Sequence, residues 1–391
     1  MALSKDKKKQ LQKLRDDFIK DNKLDPETTK MGFLDENDKI GKIERLPTGI
    51  IGFDILTGGG WVKNKINQLV GGESVGKTTK LLKSIAYWQA TIKDFMAAYI
   101  PAEKSFDREW AMKQGCTEDS TWVFEPRLAE ENLDFVMKCA ADDSGVDCLI
   151  IDTLQALASS KEVYKGKKPD GSHSDKERST EDDTMALLPR LYSQFLRMYT
   201  SKALDTLTLI LASQVRTDIT SMARDKEKET GGNALRHYNM LNVKMSRKGD
   251  SAFPVKDGEK APPNSYAIQL TITKSKVKDR YRGNKLMMYF YHGSFDHRFN
   301  VICIAKDLGV WDGKSLEYTV EHEQSHAGSM KAGDIVTETK TFKSRGLKES
   351  VEKLPDEAIP YLESKLMDAY TKLVMNYVPV EEDVGEEDGA L

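Results

Sequence analysis

Cysteine is scarce in this chain: four residues in 391, namely Cys116, Cys139, Cys148 and Cys303, lie far apart with no C-x-x-C pair. That spacing supplies neither a zinc-ligand set nor a disulfide framework, so buried thiols are expected. His322 and His326 are spaced i, i+4, but Gly328 and other loop formers follow and no third ligand is near, which predicts a solvated loop instead of a metal site. Long apolar runs are missing too, so no segment reads as a membrane span. The start, MALSKDKKKQLQKLRDDF, carries lysines but no apolar core or small-residue cleavage site. A secretory signal is therefore not expected, and a cytoplasmic location is.

Net charge is also small, with 59 Lys and Arg against 62 Asp and Glu for a formal −3. The average hides an asymmetry. Residues 379–391, PVEEDVGEEDGAL, hold six acids and no base; taking six negative charges from a chain at −3 leaves the rest at +3. A near-neutral total does not exclude a nucleic-acid partner when an acidic tail masks a basic surface. With 391 residues, 39% hydrophobic and 31% charged, the chain belongs with globular proteins of two or three domains.

Four segments are expected. Residues 1–35 read as an N-terminal helical arm and linker, in which Leu11, Leu14, Phe18 and Ile19 make one apolar stripe that must pack on something. Residues 36–315 alternate short apolar runs with longer amphipathic ones, the pattern of an α/β core with a mostly parallel twisted sheet. The clearest strands are Ile66–Val70, Ala97–Ile100, Cys148–Ile151 and Leu207–Ala212; helices are expected over Lys77–Trp88, Phe106–Lys113, Ala129–Ala140 and Met185–Ser201. Tyr266–Thr273 and Leu286–Tyr291 alternate like an antiparallel edge. Residues 316–378 look like a small C-terminal domain of turns followed by helical periodicity, and 379–391 is the acidic tail. Two long polar stretches, Lys161–Asp183 and Arg216–Gly232, each follow a core strand, a placement that favours function.

The chemistry begins at Gly71–Thr78, GGESVGKT, which fits G-x-x-x-x-G-K-[ST] with the strand INQLV before it and a helix after it. Glycines let backbone N–H groups turn inward around a phosphate, and the helix N-terminus adds its positive end. Gly71, Gly72, Glu73, Ser74, Val75, Gly76, Lys77, Thr78 and Thr79 are thus the candidate ATP contacts. Lys77 would neutralise β/γ oxygens, and the Thr78 hydroxyl would hold Mg²⁺. In CLIIDT, Asp152 ends an apolar strand and is the candidate second metal ligand; alone it could equally be a turn residue. Glu103, after the strand in YIPAEKSFDREW, can align and deprotonate a water, or it can serve as a helix-start charge near Asp107. Trp110 could stack on a base or fill the core.

These residues together resemble bacterial and phage RecA-like recombinases, from about Pro47 to Gly309. LPTGIIGFDILTGGGWVKNKINQLVGGESVGKTTK resembles the family's entry into its ATPase core, and YIPAEKSFDREWAMKQG resembles the stretch that carries its catalytic glutamate. The match implies a RecA-like P-loop ATPase fold. It makes Glu103 the base, Asp107 an adenine contact and Trp110 the aromatic that stacks on the base. LIIDTLQAL resembles the metal-binding strand, and LASQVR the strand whose glutamine, Gln214, senses the γ-phosphate. TGGNALRHYNMLNVKMSR resembles the end of the second DNA-binding loop, so Arg216, Arg224, Gly231, Gly232 and Asn233 fall in DNA-binding positions. Lys161–Asp183 lies where the first such loop does, and Arg190 and Arg197 align with arginines of the following helix.

In ITKSKVKDRYRG, Lys274, Lys276, Lys278, Arg280 and Arg282 recur at alternate positions, which would put them on one face of an extended strand. Unaided, that stripe reads as a solvated edge. By the resemblance, Lys274 and Lys276 would reach the neighbouring subunit's γ-phosphate and join catalysis in trans. The family likeness implies filaments on single-stranded DNA, exchange with homologous duplex DNA, ATP and Mg²⁺ as cofactors, and no membrane. It leaves room for single-strand-binding and mediator proteins as partners. Departures are Pro101 and Lys104 around the Ala-Glu pair and His237 where an aromatic is usual. A hexameric ring helicase on the same core, or a mediator ATPase without exchange activity, remain the alternatives.

Overall fold

The computed structural model describes residues 4–26, 29, 31–33, 43–141, 144–164, 187–202, 206–217, 227–229, 232–255, 260–277, 284–323 and 335–375. Most of the expected first loop, Arg224, Gly231, the basic positions Lys278, Arg280 and Arg282, His326 and the acidic tail lie outside these residues.

A twisted sheet of nine described strands organises the chain. Across it run Lys285–Phe290, Tyr266–Ser275, Leu241–Arg247, Ile66–Gly71, Thr208–Thr217, Cys148–Asp152, Ala97–Pro101 and Thr121–Val123, with Glu227–Glu229 paired on the end of Thr208–Thr217. The six from Leu241–Arg247 to Thr121–Val123 are parallel, and the first two are an antiparallel edge. This is the α/β core expected from the pattern. The observed parallel strands extend the expected ones by one to five residues at their C-terminal ends, to Gly71, Pro101, Asp152 and Thr217, where the site residues begin, whereas the edge strand expected to reach Tyr291 ends at Phe290.

Successive strand residues point to opposite faces, and both faces are dry. Cys148 and Ile150 join one core with Tyr99, Ile210, Ala212 and Val243, while Leu149 and Ile151 join the other with Ile100, Leu209 and Leu211. The first core is covered by helices Ile51–Thr57, Lys77–Thr91, His297–Asp307 and Ile359–Met375; the second by Ala129–Cys139 and Leu187–Lys202. A buried polar set pins the register at the centre. Gln68 Nε2 donates to Ser213 Oγ (2.9 Å), and its Oε1 accepts from Asn239 Nδ2 (2.7 Å) and Asn242 Nδ2 (3.0 Å). Three parallel strands are thereby locked by one side chain, since a one-residue slip would leave these amides unpaired.

The cysteines are all buried and free, as expected. His322 is in the strand Ser315–Glu323, paired antiparallel with Ile335–Lys343, and not in a loop. Leu316 and Tyr318 of that strand are buried in the first core, so alternation and burial outweigh the turn-like composition around the histidines. The arm forms as helix Lys5–Asp21, capped by Ser4, and Leu11, Leu14 and Phe18 stay 40%, 60% and 48% exposed. No helix among the described residues is long and apolar enough to cross a membrane.

Candidate active site

Parallel strands bring their C-terminal ends to one rim, where α/β sheets bind ligands. Gly71 pairs with Gln214 across neighbouring strands, and Pro101 pairs with Asp152. The rim opens into a cleft of about 450 Å³ lined by Glu73 to Thr79, Glu103, Asp152, Thr153 and Gln214, with Tyr266 and Phe290 at its side.

The loop geometry explains its residue types. Gly76 caps helix Lys77–Thr91 at φ 88°, a left-handed conformation that favours glycine. A Cβ on Gly71 would lie 2.8 Å from Val75 Cγ1 and 3.0 Å from the Met245 carbonyl, so that position excludes a side chain. Gly72 has open space around it, so its place is not demanded by packing. Tyr266 donates its hydroxyl to the Ser74 carbonyl at 3.2 Å, buttressing the loop from the antiparallel edge. Lys77 Nζ donates to the Gly71 (3.0 Å) and Gly72 (2.6 Å) carbonyls, which holds the ammonium at the loop's centre. Burial lowers its pKa, while the carboxylates of Asp152, Glu103 and Glu73 pull it back up.

Two carboxylates divide the floor. Asp152 Oδ2 accepts from Thr78 Oγ1 at 2.6 Å and from the Tyr99 hydroxyl at 2.6 Å. A hydroxyl and a carboxylate in direct contact are hard oxygen donors of the kind Mg²⁺ takes, usually alongside phosphate oxygens and water. The donor set therefore fits the implied ion, and Thr78 and Asp152 are the two residues that would hold it. Tyr99 is fully buried, and burial together with the Asp152 charge pushes its phenol well above its usual range, so it remains a donor. Glu103 Oε1 accepts from Thr153 Oγ1 at 2.6 Å and from Gln214 Nε2 at 2.8 Å. The carboxylate expected to order water and the glutamine expected to sense phosphate are thus in contact.

Of the other expected site residues, Asp107 and Trp110 lie beside this centre. Asp107, expected from the resemblance as an adenine contact, caps helix Arg108–Lys113 by accepting from the Trp110 N–H at 2.9 Å. Trp110 donates Nε1 to Thr79 Oγ1 at 3.3 Å and lines, with Asp107, Tyr99 and Phe106, a small hollow that shares Thr78, Glu103 and Asp152 with the main cleft. Arg190 and Arg197 are exposed on helix Leu187–Lys202. Arg216 is in strand Thr208–Thr217, and Gly232 and Asn233 begin helix Gly232–Tyr238.

Of the basic stripe, Lys274 and Lys276 are among the described residues, and there the strand differs from expectation. It has a register shift between Ile272 and Lys274 and ends at Ser275, whose hydroxyl accepts from the Val277 N–H (3.0 Å) and donates to the Val277 carbonyl (2.7 Å). That local turn breaks the one-face alternation. Lys274 lies in the strand and Lys276 beyond it, donating to the His237 carbonyl at 2.7 Å. Burial, Lys276 and Arg236 all lower the Lys274 pKa. Neither lysine lines the cleft that holds Lys77.

Sequence reasoning missed Tyr99 and Tyr266. A tyrosine in an otherwise apolar, buried strand must find a partner for its hydroxyl, and that signal was present in AAYIP.

Comparison with known proteins gives matches over the same region. The model of the RecA N-terminal domain matches residues 26–294. Protein RecA of Bacteroides thetaiotaomicron is 31% identical over 276 residues, covering 70% of this chain and 77% of that protein. Protein RecA of Porphyromonas gingivalis is 30% identical over 256 residues, 65% and 69% of the two chains. Protein RecA of Francisella tularensis subsp. novicida is 31% identical over 307 residues, 74% and 79%.

Proposed function

This chain belongs to the RecA family, and on that premise we propose that it is an ATP-dependent recombinase that assembles into filaments on single-stranded DNA and exchanges it with a homologous duplex. The observation that carries the reading is the shared Glu103 oxygen, which ties a water-ordering carboxylate to Gln214 at the head of the Arg216–Asn233 segment.

ATP phosphates are received by the N–H groups of Gly72 to Thr78 and the start of helix Lys77–Thr91, with Lys77 leaving its two carbonyl partners for β/γ oxygens. Thr78 and Asp152 would hold Mg²⁺, which would supply positive charge against the negative charge of the phosphates. Glu103 orders the attacking water and accepts its proton. Gln214, drawn toward a γ-phosphate, gives up its contact with Glu103 and biases its own strand, from which the proposed DNA-binding segment leads to Gly232 and Asn233. The Gln68 set keeps the rest of that strand fixed, so the change is passed outward to the DNA segment. Arg190, Arg197, Arg216 and Arg224 contact phosphates, and binding weakens with salt and shows little sequence preference.

Lys274 and Lys276 serve the neighbouring subunit's nucleotide, which makes turnover depend on assembly. The exposed stripe of helix Lys5–Asp21 supports self-association: about half of each large side chain is in water unless another surface covers it. Residues 36–315 form the ATPase core, 1–35 the polymerisation arm, 316–378 a C-terminal domain that shares the first hydrophobic core through Leu316, Tyr318 and helix Ile359–Met375, and 379–391 an acidic tail that competes with DNA for the basic face. Negative-stain electron microscopy with a slowly hydrolysed ATP analogue tests the reading. Extended filaments on single-stranded DNA are expected, and closed rings would move the chain to the helicase class.

A further inference from the structure

A cavity of about 660 Å³ shares no lining residue with the nucleotide cleft. Its floor is aromatic: Tyr291 stacks on Phe299 at 4.1 Å and 4°, and Phe253 stacks on Phe299 at 5.5 Å and 14°. Val255, Leu347 and Val351 complete an apolar wall. The cavity is preformed, because Arg298 of helix His297–Asp307 reaches the Val351 (3.3 Å) and Leu354 carbonyls and the Asp356 carboxylate, fixing helix Leu347–Lys353 opposite the aromatics. The volume is in the range of about 300–1,000 Å³ usual for ligand-sized pockets.

Its rim is basic. Lys260, Lys306, Arg345, Lys348 and Lys353 line it against the acids Glu349 and Glu352. Glu349 is taken up locally, accepting from Lys353 Nζ (2.8 Å) and the Arg345 N–H (2.7 Å). Lys260, Lys306 and Arg345 are exposed at the edge. An apolar floor under a positive rim is complementary to a chain that carries negative charge beside a large apolar side chain.

We propose that this cavity binds an acidic peptide segment of a partner protein, which seats an aromatic or large aliphatic side chain on the Tyr291–Phe299 floor while its carboxylates meet Lys260, Lys306 and Arg345. A nucleobase is a poorer occupant of the floor, because seating it there would desolvate polar edges against the apolar side chains of Val255, Leu347 and Val351.

The test is fluorescence anisotropy with a labelled peptide, Asp-Glu-Asp-Asp-Leu-Phe, on the full chain at low salt. Saturable binding is expected, with a loss of about tenfold in the Lys306→Glu/Arg345→Glu variant and a comparable loss when the peptide's Leu-Phe is replaced by Ala-Ala. Both substituted side chains are exposed, and the variant should keep its DNA-stimulated ATP turnover. The proposal is overturned by no saturable binding up to about 1 mM, by equal binding to the variant, by loss of turnover in it, or by peptide displacement with oligothymidylate. Binding that appears only after residues 379–391 are deleted would also overturn it, since the chain's own tail would then be the occupant.

Discussion

Replacing Tyr99 by Phe isolates one oxygen in the proposed metal site. The phenol is fully buried and donates to Asp152 Oδ2 at 2.6 Å, the same atom that accepts from Thr78. The ring itself packs on Phe106 with centroids 5.5 Å apart, and Phe preserves that contact. What is lost is the donor that orients a proposed metal-binding carboxylate. Loss of such a supporting partner costs roughly 10- to 100-fold in metal affinity, or about 1.4–2.8 kcal/mol. DNA-stimulated ATP hydrolysis, titrated with Mg²⁺ in excess of nucleotide, should show the half-saturating concentration rising by about tenfold or more. Turnover at saturating Mg²⁺ should stay close to the parent value, because Glu103 is bonded to Thr153 and Gln214 instead. An unchanged Mg²⁺ requirement in a folded variant would refute the reasoning and reduce Tyr99 to a space filler.

Three other perturbations test different parts of the site. Glu103→Gln should bind ATP and DNA but hydrolyse about 10²- to 10⁴-fold more slowly; parent-like turnover would remove it as base. Mixing Lys77→Ala with Lys276→Ala subunits should restore part of the ATPase activity that each lacks, whereas co-assembly with no recovery would argue against lysines acting in trans. His297 is bonded to Glu363 of helix Ile359–Met375, and that bond raises its pKa above 6.5 against the opposing effect of burial. A raised histidine stabilises the fold fully below about 6.5 and loses that contribution as pH climbs through the folded value. Hydrogen exchange of helix Ile359–Met375 should therefore quicken from pH 6 to 8 beyond the intrinsic rate, an excess that His297→Gln abolishes; an excess that persists in the variant would place its origin elsewhere.

The parallel core was readable because Cys148–Ile151 and the stretch Leu209–Ala212 are apolar on both faces, as strands covered by helices on each side must be. The phosphate loop was readable because Gly71 and Gly76 answer to close packing and backbone geometry. Thr121–Val123 was not, being three residues long, and neither was Leu241–Arg247, whose asparagine and lysine interrupt an apolar run until one knows that Asn242 meets Gln68. Leu316, Tyr318 and Val320 did alternate in SLEYTVEHE, but the histidines and glycines beyond them suggested turns. At the site, individual roles followed from motif position. The contacts between roles did not, because Glu103 and Gln214 are 111 residues apart and meet only when the sheet is assembled. At Lys274 and Lys276 the opposite error shows: alternation predicts a common face only while the strand continues, and the Ser275 turn ends it before Lys276.

The most direct measurement is strand exchange between circular single-stranded DNA and a linear duplex. The account predicts ATP-dependent joint molecules with a homologous duplex, none with a heterologous one, and none with Lys77→Ala. Strands separated from homologous and heterologous duplexes alike would contradict it and identify a helicase.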